Sequence, residues 1–240
     1  MTLAILQART ASTRMPGKVM APVLGEPMIW RQLERIRRAR SVSKVVVATS
    51  TASSDDALAA FLLGRGCTVY RGEHDDVLDR FAACAAAFAA ERVVRVKADC
   101  PLVDPQLIDA AIALSARSGA AYTSNCEIRS YPHGLEVEVI AAEALAIVAR
   151  EAMASEDRAH VTTYLRRFPL RFEQAHLVAP VDRSALRWTV DRPEDFAFVR
   201  EVYQRLYPEN PDFGLQEIVE LLEAYPALAD LASRAIDAAA

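Results

Sequence analysis

Short apolar runs alternate with amphipathic stretches along the first half of the chain. Thr2 to Leu6 and the valine-rich Lys44 to Thr49 predict buried strands. Between them, Pro27 to Arg40 sets Ile29, Leu33 and Ile36 on one face at helical spacing. Ser53 or Ser54 is placed to cap a helix through Leu58, Phe61 and Leu62, which Gly64 and Gly66 end before a third strand at Cys67 to Tyr70. The pattern then repeats: an alanine-rich helix over Asp75 to Ala90, a strand over Arg92 to Lys97, and a helix over Pro105 to Arg117 with proline in its first turn. Strands alternating with helices predict an α/β fold, with a mainly parallel central sheet and helices on both faces.

After Tyr122 the rhythm changes. Leu135 to Ile140 alternates as an exposed or hairpin strand does, and either an internal sheet or a second subunit would pair it. Glu143 to Arg150 and Asp157 to Arg167 predict helices, and Leu170 to Val178 an extended segment. Trp188 to Val190 predicts a short strand ending in Asp191, followed by a helix opened by Pro193-Glu194-Asp195. Leu215 to Leu222 is a further helix, and Ala227 to Ala240 has helical composition with weak caps. No internal repeat interrupts this order.

Composition narrows the class. The 240 residues are 52% hydrophobic and 25% charged, which fits one globular domain, and 8 Gly with 12 Pro give no linker-like excess. A net charge of -4 opposes nucleic-acid binding through bulk charge. The longest apolar stretch, ending at Ala90, falls far short of the roughly 17 to 25 residues of a membrane span. No signal-peptide pattern opens the chain, so a cytoplasmic location is expected. Cys67, Cys84, Cys100 and Cys126 lack the spacing of a metal or redox motif and are expected to be reduced, structural thiols. The run Arg31, Arg35, Arg37, Arg38 and Arg40 reads as a solvated face near a helix C-terminus, and His74 and His176 have no evident partners.

In open parallel sheets, ligands bind beyond the carboxyl ends of the strands. The loop after the first strand, Gln7 to Lys18, has neither the Walker nor the dinucleotide glycine spacing. It still sets Arg9, Arg14 and Lys18 among hydroxyls, with Gly17 allowing close backbone approach, which suits a triphosphate. A solvated basic loop is the equally weighted alternative. The strand over Arg95 to Lys97 runs on to Asp99, a carboxylate at the ligand edge suited to Mg²⁺, with Lys97 on the same side. A turn-forming aspartate is the ordinary alternative. Asp191 repeats this arrangement, so the two aspartates are placed to share one metal, while Asp195 suits a helix dipole.

In order along the chain come Ile5-Leu6-Gln7-Ala8-Arg9 with Ser12-Thr13-Arg14, Pro16-Gly17-Lys18, Val47-Ala48-Thr49-Ser50, Arg71-Gly72 with Asp76-Val77-Leu78-Asp79-Arg80, and Ala98-Asp99-Cys100-Pro101-Leu102. Tyr131-Pro132, Gly134-Leu135, Glu136-Val137-Glu138, His160-Val161-Thr162 and Trp188-Thr189-Val190-Asp191 with Pro193-Glu194-Asp195 follow. This series, reaching to about Leu222, resembles the cytidylyltransferases that make activated sugars, in particular the spore coat polysaccharide branch beside the acylneuraminate and KDO cytidylyltransferases.

The resemblance implies a Rossmann-like, GT-A-like nucleotidyltransferase fold in one domain over residues 1–240. Its nucleotide-binding half covers about 1–120, and its acceptor-binding half, with an optional homodimer face, about 121–225. The implied reaction is Mg²⁺-dependent transfer of CMP from CTP to a sugar-type acceptor, with release of pyrophosphate, for surface polysaccharide or glycoconjugate synthesis. Carried over to this sequence, Arg14 and Lys18 contact the β- and γ-phosphates from a solvent-facing loop, and Asp99 and Asp191 ligate magnesium; these four are the implied catalytic residues. Gln7, Ala8, Thr49 and Ser50 line the cytosine pocket, and Arg9, Gly17, Arg71 and Lys97 complete the nucleotide set. His133, Glu136, Glu138, Arg158 and His160 form the acceptor set.

Three positions depart from the pattern. Ala159 stands where glutamate is common, His133 where aspartate is common, and Arg192 where a small polar residue is usual. The first two touch the acceptor set, so the acceptor rather than the nucleotide is left open. A nucleotide-sugar glycosyltransferase is the alternative enzyme, disfavoured by the absence of an Asp-x-Asp motif. A non-catalytic nucleotide sensor is disfavoured by Lys18, Asp99 and Asp191 occurring together.

Overall fold

Leu3 and Ile5 point to one side of the first strand and Ala4 and Leu6 to the other, and all four are fully buried. That strand therefore lies at the centre of a sheet covered on both faces. The computed structural model describes residues 1–12 and 14–237; Thr13 of the first loop and the last three positions of the predicted C-terminal helix lie outside the described residues.

The elements follow the predicted order through the first half, except for a small hairpin that no pattern announces and that takes Pro27 from the predicted helix, which itself ends at Ile36 rather than Arg40. They are β1 (Thr2–Gln7), a small hairpin of β2 (Pro22–Val23) and β3 (Glu26–Pro27), α1 (Met28–Ile36), β4 (Lys44–Ser50), α2 (Asp56–Gly64), β5 (Thr68–Gly72), α3 (Val77–Ala87), β6 (Arg92–Lys97) and α4 (Pro105–Ser118). Next come β7 (Tyr122–Ser124), β8 (Glu138–Ala141), α5 (Ala142–Glu151), α6 (Ser155–Ala159), α7 (Thr163–Arg167) and β9 (Gln174–His176). The chain closes with α8 (Pro193–Leu206), α9 (Leu215–Ala224) and α10 (Pro226–Asp237).

The seven-stranded sheet has the order β5-β4-β1-β6-β8-β7-β9. Its strands pair in parallel except around β8, which is antiparallel to both β6 and β7. One face carries α1, α2, α4, α8 and α9 through Leu33, Leu62, Ile108, Phe198 and Ile218. The other carries α3 and α5 through Phe81 and Leu145. The expected mainly parallel sheet with helices on both faces is what the chain forms.

Four expectations are corrected. The alternating segment Leu135 to Ile140 is neither exposed nor a free edge: Leu135, Val137, Val139 and Ile140 are fully buried, and β8 is paired on both sides within the chain. The predicted helix Asp157 to Arg167 is two short helices, broken at His160 to Thr162 where Val161 takes a positive φ of 28°. Trp188 to Val190 forms no sheet strand; it is tied by a lone bridge between Arg187 and His133, and by the Val190 N–H to the Asp99 carbonyl at 2.7 Å. Finally, Arg31 and Arg35 are buried rather than solvated, and their guanidinium groups donate to backbone carbonyls of neighbouring segments, which satisfies the charged groups away from water. Arg31 donates to Val23 and Leu24, and Arg35 to Val103 and Phe213.

Candidate active site

The loops after β1, β4, β5 and β6 all leave the carboxyl edge of the sheet, and the first is pinned from below. Thr10 donates to Asp55 Oδ1 through both its N–H and its hydroxyl, each at 2.8 Å. Ser50 donates to Asp55 Oδ2 through its hydroxyl at 2.5 Å and its N–H at 3.2 Å. Burial alone would raise the Asp55 carboxyl, but these donors outweigh it and hold its pKa down at about 2. Gly17 closes the loop in the left-handed region at φ 72°, its N–H on the Thr10 carbonyl at 3.0 Å.

At the end of this loop Lys18 turns inward. Only 11% of its side chain is exposed, so the solvent-facing placement holds for Arg14, at 56%, and not for Lys18. Lys18 Nζ donates to the Val190 carbonyl at 2.5 Å and to Asp191 Oδ1 at 3.2 Å, and Arg14 reaches the same oxygen at 2.9 Å. Arg187 donates to Asp191 Oδ2 at 2.7 Å. Burial would raise the Asp191 carboxyl, yet the surrounding Lys18, Arg187 and Arg14 keep it below its ordinary value. Asp99 sits two residues past the end of β6, in a turn, with one quarter of its side chain exposed. Its contacts are the Cys100 thiol at 3.4 Å and the Lys97 ammonium at 3.9 Å.

These groups line a cavity of about 700 Å³ that includes Gln7, Arg9, Arg14, Lys18, Lys97, Asp99 and Asp191. His74 also faces it, its Nδ1 lying 3.1 Å from the Ser50 hydroxyl. A second cavity of about 620 Å³ contains His133, Glu136, Glu138, His160, Arg129 and Arg166. Arg95, Lys97 and His160 line both, so the two cavities meet at these side chains. The break between α6 and α7 is what delivers His160 to that junction.

The floor of the second cavity is a buried charge array. Arg95 pairs with Glu138, which also accepts from the Tyr122 hydroxyl at 2.7 Å, while Arg95 Nη2 donates to Gln7 at 3.1 Å. Burial would raise the Glu138 carboxyl, but Arg95 and Tyr122 draw it below its usual range. Glu136 Oε2 accepts the Gly134 N–H at 2.8 Å, and its other oxygen lies 3.2 Å from His133 Nε2 and 3.5 Å from Arg129. Gly134 is required here, since a Cβ would come within 2.5 Å of the Trp188 and Thr189 backbone.

Other proposed site residues stand behind the walls. Ala8, Thr49 and Ser50 are buried beneath the first loop; neither they nor Gly17 and Arg71 belong to the described lining of the larger cavity. Arg71 braces the Ser50 and Ala52 carbonyls and Asp56. Arg158 joins α6 to Asp76 at the start of α3 and to the Ala149 carbonyl, outside both linings. Ala159 lines the larger cavity. Sequence reasoning assigned no role to Asp55, Arg129, Arg166 or Arg187. Arg95 carried a signal, because a cation two residues before Lys97 shares its face of a buried strand.

The donor set suits a hard cation that takes few protein ligands. Among the described residues no group of three or more His, Cys, Asp or Glu side chains is placed to hold a metal. Asp99 offers a carboxylate in the cavity with no ion pair closer than 3.9 Å, which suits Mg²⁺ drawing its other oxygens from phosphates and water. Asp191 is already engaged by Arg14, Lys18 and Arg187, and would share an oxygen with them.

Comparisons with known proteins bear on this site. The family model described as cytidylyltransferase matches residues 3–223. The spore coat polysaccharide biosynthesis protein SpsF of Bacillus subtilis is 34% identical over 231 residues, covering 93% of this chain and 95% of that protein. A 3-deoxy-manno-octulosonate cytidylyltransferase of Geobacter sulfurreducens is 44% identical over 119 residues, 49% of this chain and 46% of that one. Among solved structures, a cytidylyltransferase from Leptospira borgpetersenii superposes with TM-score 0.90 at 24% identity, over 95% of this chain and 96% of that one. CMP:2-keto-3-deoxy-manno-octonic acid synthetase complexed with CTP superposes with TM-score 0.63 at 17% identity, over 85% and 99%. No helix among the described residues is long and apolar enough to cross a membrane.

Proposed function

The chain belongs to the cytidylyltransferase family, and from that premise we propose that it transfers CMP from CTP to a hydroxyl of a sugar-type acceptor, releasing pyrophosphate, to supply polysaccharide or glycoconjugate synthesis. The observation that carries this reading is the junction: Arg95, Lys97 and His160 line both cavities, so a nucleotide in one and an acceptor in the other would meet there. A solved relative described as complexed with CTP supports the choice of nucleotide.

In this reading Arg14 and Lys18 receive the β- and γ-phosphates, exchanging part of their contact with Asp191 for contact with the triphosphate. Lys97 lies at the junction and neutralises charge near the α-phosphate. Asp99, together with Asp191 of the same cavity lining, would hold Mg²⁺, which when bound would supply charge neutralisation and a template for in-line displacement. The acceptor oxygen bonds to the α-phosphorus as the bond to pyrophosphate breaks, and the hydroxyl proton is released to water. Such a step needs alignment and preorganised charge rather than a covalent intermediate. Glu136, His133 and His160 are the acceptor-side groups that would orient the hydroxyl.

A pyrophosphate-release assay with CTP, Mg²⁺ and a panel of neutral sugars and sugar acids tests the reading. Release that requires both CTP and one acceptor class is the expected result. Glycosyl transfer without pyrophosphate release would overturn it, as would tight CTP binding without turnover across the panel.

A further inference from the structure

Arg187 lines neither cavity, yet its guanidinium joins a residue of each. Nη2 donates to Asp191 Oδ2 at 2.7 Å on the nucleotide side, and Nη1 lies 2.8 Å from His133 Nδ1 on the acceptor side. We propose that Arg187 is a positioning residue that makes the two cavities interdependent, holding Asp191 and His133 in one charge array so that a change at either is felt at the other. This rests on the reading of the larger cavity as the nucleotide site.

The placement of Arg187 is fixed by the backbone. His133 and Arg187 form the lone bridge described above, with the His133 N–H on the Leu186 carbonyl at 2.8 Å, and the next residue, Trp188, is fully buried. Gly134 brings its chain against Trp188 and Thr189 at a distance no other residue permits. Only 11% of the Arg187 side chain is exposed, and Asp195 stands 3.8 Å from Nη2 as a second brace. Asp195 in turn accepts the N–H groups of Asp191 and Arg192, at 2.8 and 2.9 Å. With Nη1 donating, His133 Nδ1 must accept, which leaves the Nε2 proton facing Glu136. The array therefore runs from His133 through Arg187 and Asp191 to Lys18 and Arg14, with Glu136 Oε1 3.2 Å from His133 Nε2 at its far end. A planar fork can hold two partners at once, whereas an ammonium is a point charge. Burial lowers the His133 pKa and the neighbouring Arg187, Lys97 and Arg129 lower it further, against the opposing pull of Glu136, which agrees with a neutral ring.

Two double-mutant cycles test the proposal. In nucleotide-free protein, NMR of the imidazole nitrogens follows His133, assigned by its loss in His133→Ala. Asp191→Asn is expected to displace the His133 signals, and the displacement to vanish when Arg187→Met is already present. By calorimetry with CTP and Mg²⁺, His133→Ala is expected to weaken binding roughly 3- to 10-fold in the wild-type background and to have no further effect beside Arg187→Met. Arg187→Lys serves as a second background that keeps the charge and guards against a destabilised methionine variant; it is expected to behave like Arg187→Met in both cycles. Additive effects in either cycle, or coupling fully restored by lysine, would overturn the proposal. Should wild-type protein not bind CTP while the His133 signals still respond through Arg187, the nucleotide reading falls and the coupling stands.

Discussion

Charge at this site is spent on other charge, so each side chain acts through its partners. Lys18 and Arg14 share one oxygen of Asp191, but only Lys18 also satisfies a buried carbonyl, that of Val190. Arg14→Ala is therefore expected to leave stability nearly unchanged, as exposed ion pairs contribute about 0–1 kcal/mol. Lys18→Ala is expected to lower the melting temperature as well, because Val190 and Asp191 lose a buried partner. Both variants should lose roughly 10²- to 10³-fold in turnover if they stabilise the departing pyrophosphate. Steady-state rates with melting curves on the same preparations check this, and near wild-type turnover in either removes that residue from the role. The two aspartates part in the same way. Asp99→Asn is expected to raise the Mg²⁺ midpoint of activity with little change in melting temperature, since Asp99 braces almost nothing. Asp191→Asn is expected to change both, because it frees Arg14, Lys18 and Arg187 together; an unshifted Mg²⁺ midpoint in Asp191→Asn would leave it a structural anchor alone.

At the scale of elements, the segments most easily read in the sequence were those whose periodicity is set by burial on one or two faces, such as β1, β4, β6 and α4. Segments whose form is set by tertiary contact carry no such local signal. Trp188 to Val190 has the composition of a strand, but its backbone partners are His133 and Asp99 rather than a sheet neighbour. His160 to Thr162 continues a helical composition, yet burial of Val161 at a positive φ breaks the helix there. Asp55 is silent in the sequence for the same reason, since its donors Thr10 and Ser50 lie on other elements and no local pattern announces them. Its depressed pKa carries a testable consequence. A carboxyl held near 2 in the folded protein contributes stability that is fully present above the unfolded value of about 3.9 and is lost as pH falls through the folded value. The contribution at neutral pH is on the order of 2 kcal/mol. Asp55→Asn is thus expected to be less stable than wild type at neutral pH, with the gap closing as pH falls from about 4 towards 2. Denaturant melts across that range read the gap, and one independent of pH would show that Asp55 does not gain its stability through ionisation.

For the whole molecule, the alternation of strands and helices was legible because both sheet faces are covered and each layer imposes its own period. The motif series marked the family, whereas the meeting of two cavities at Arg95, Lys97 and His160 was not legible, since it joins β6 to the break between α6 and α7 across long sequence separation. That arrangement predicts how the molecule responds to nucleotides. A ligand that binds only the folded state stabilises it by RT ln(1 + [L]/Kd), about 2.7 kcal/mol at a hundredfold excess over Kd, which is several degrees in melting temperature for a chain of this size. With Mg²⁺ present, CTP is expected to raise the melting temperature more than ATP or GTP, because the chain belongs to the cytidylyltransferase family and Gln7, held by Arg95, lines the cavity as a group able to read the base. Inorganic triphosphate should give part of the shift, through Arg14, Lys18 and the Mg²⁺ that Asp99 would hold. The difference between CTP and triphosphate then measures what the nucleoside adds, and equal stabilisation by CTP, ATP, GTP and triphosphate would mean that this cavity reads phosphates and not cytosine.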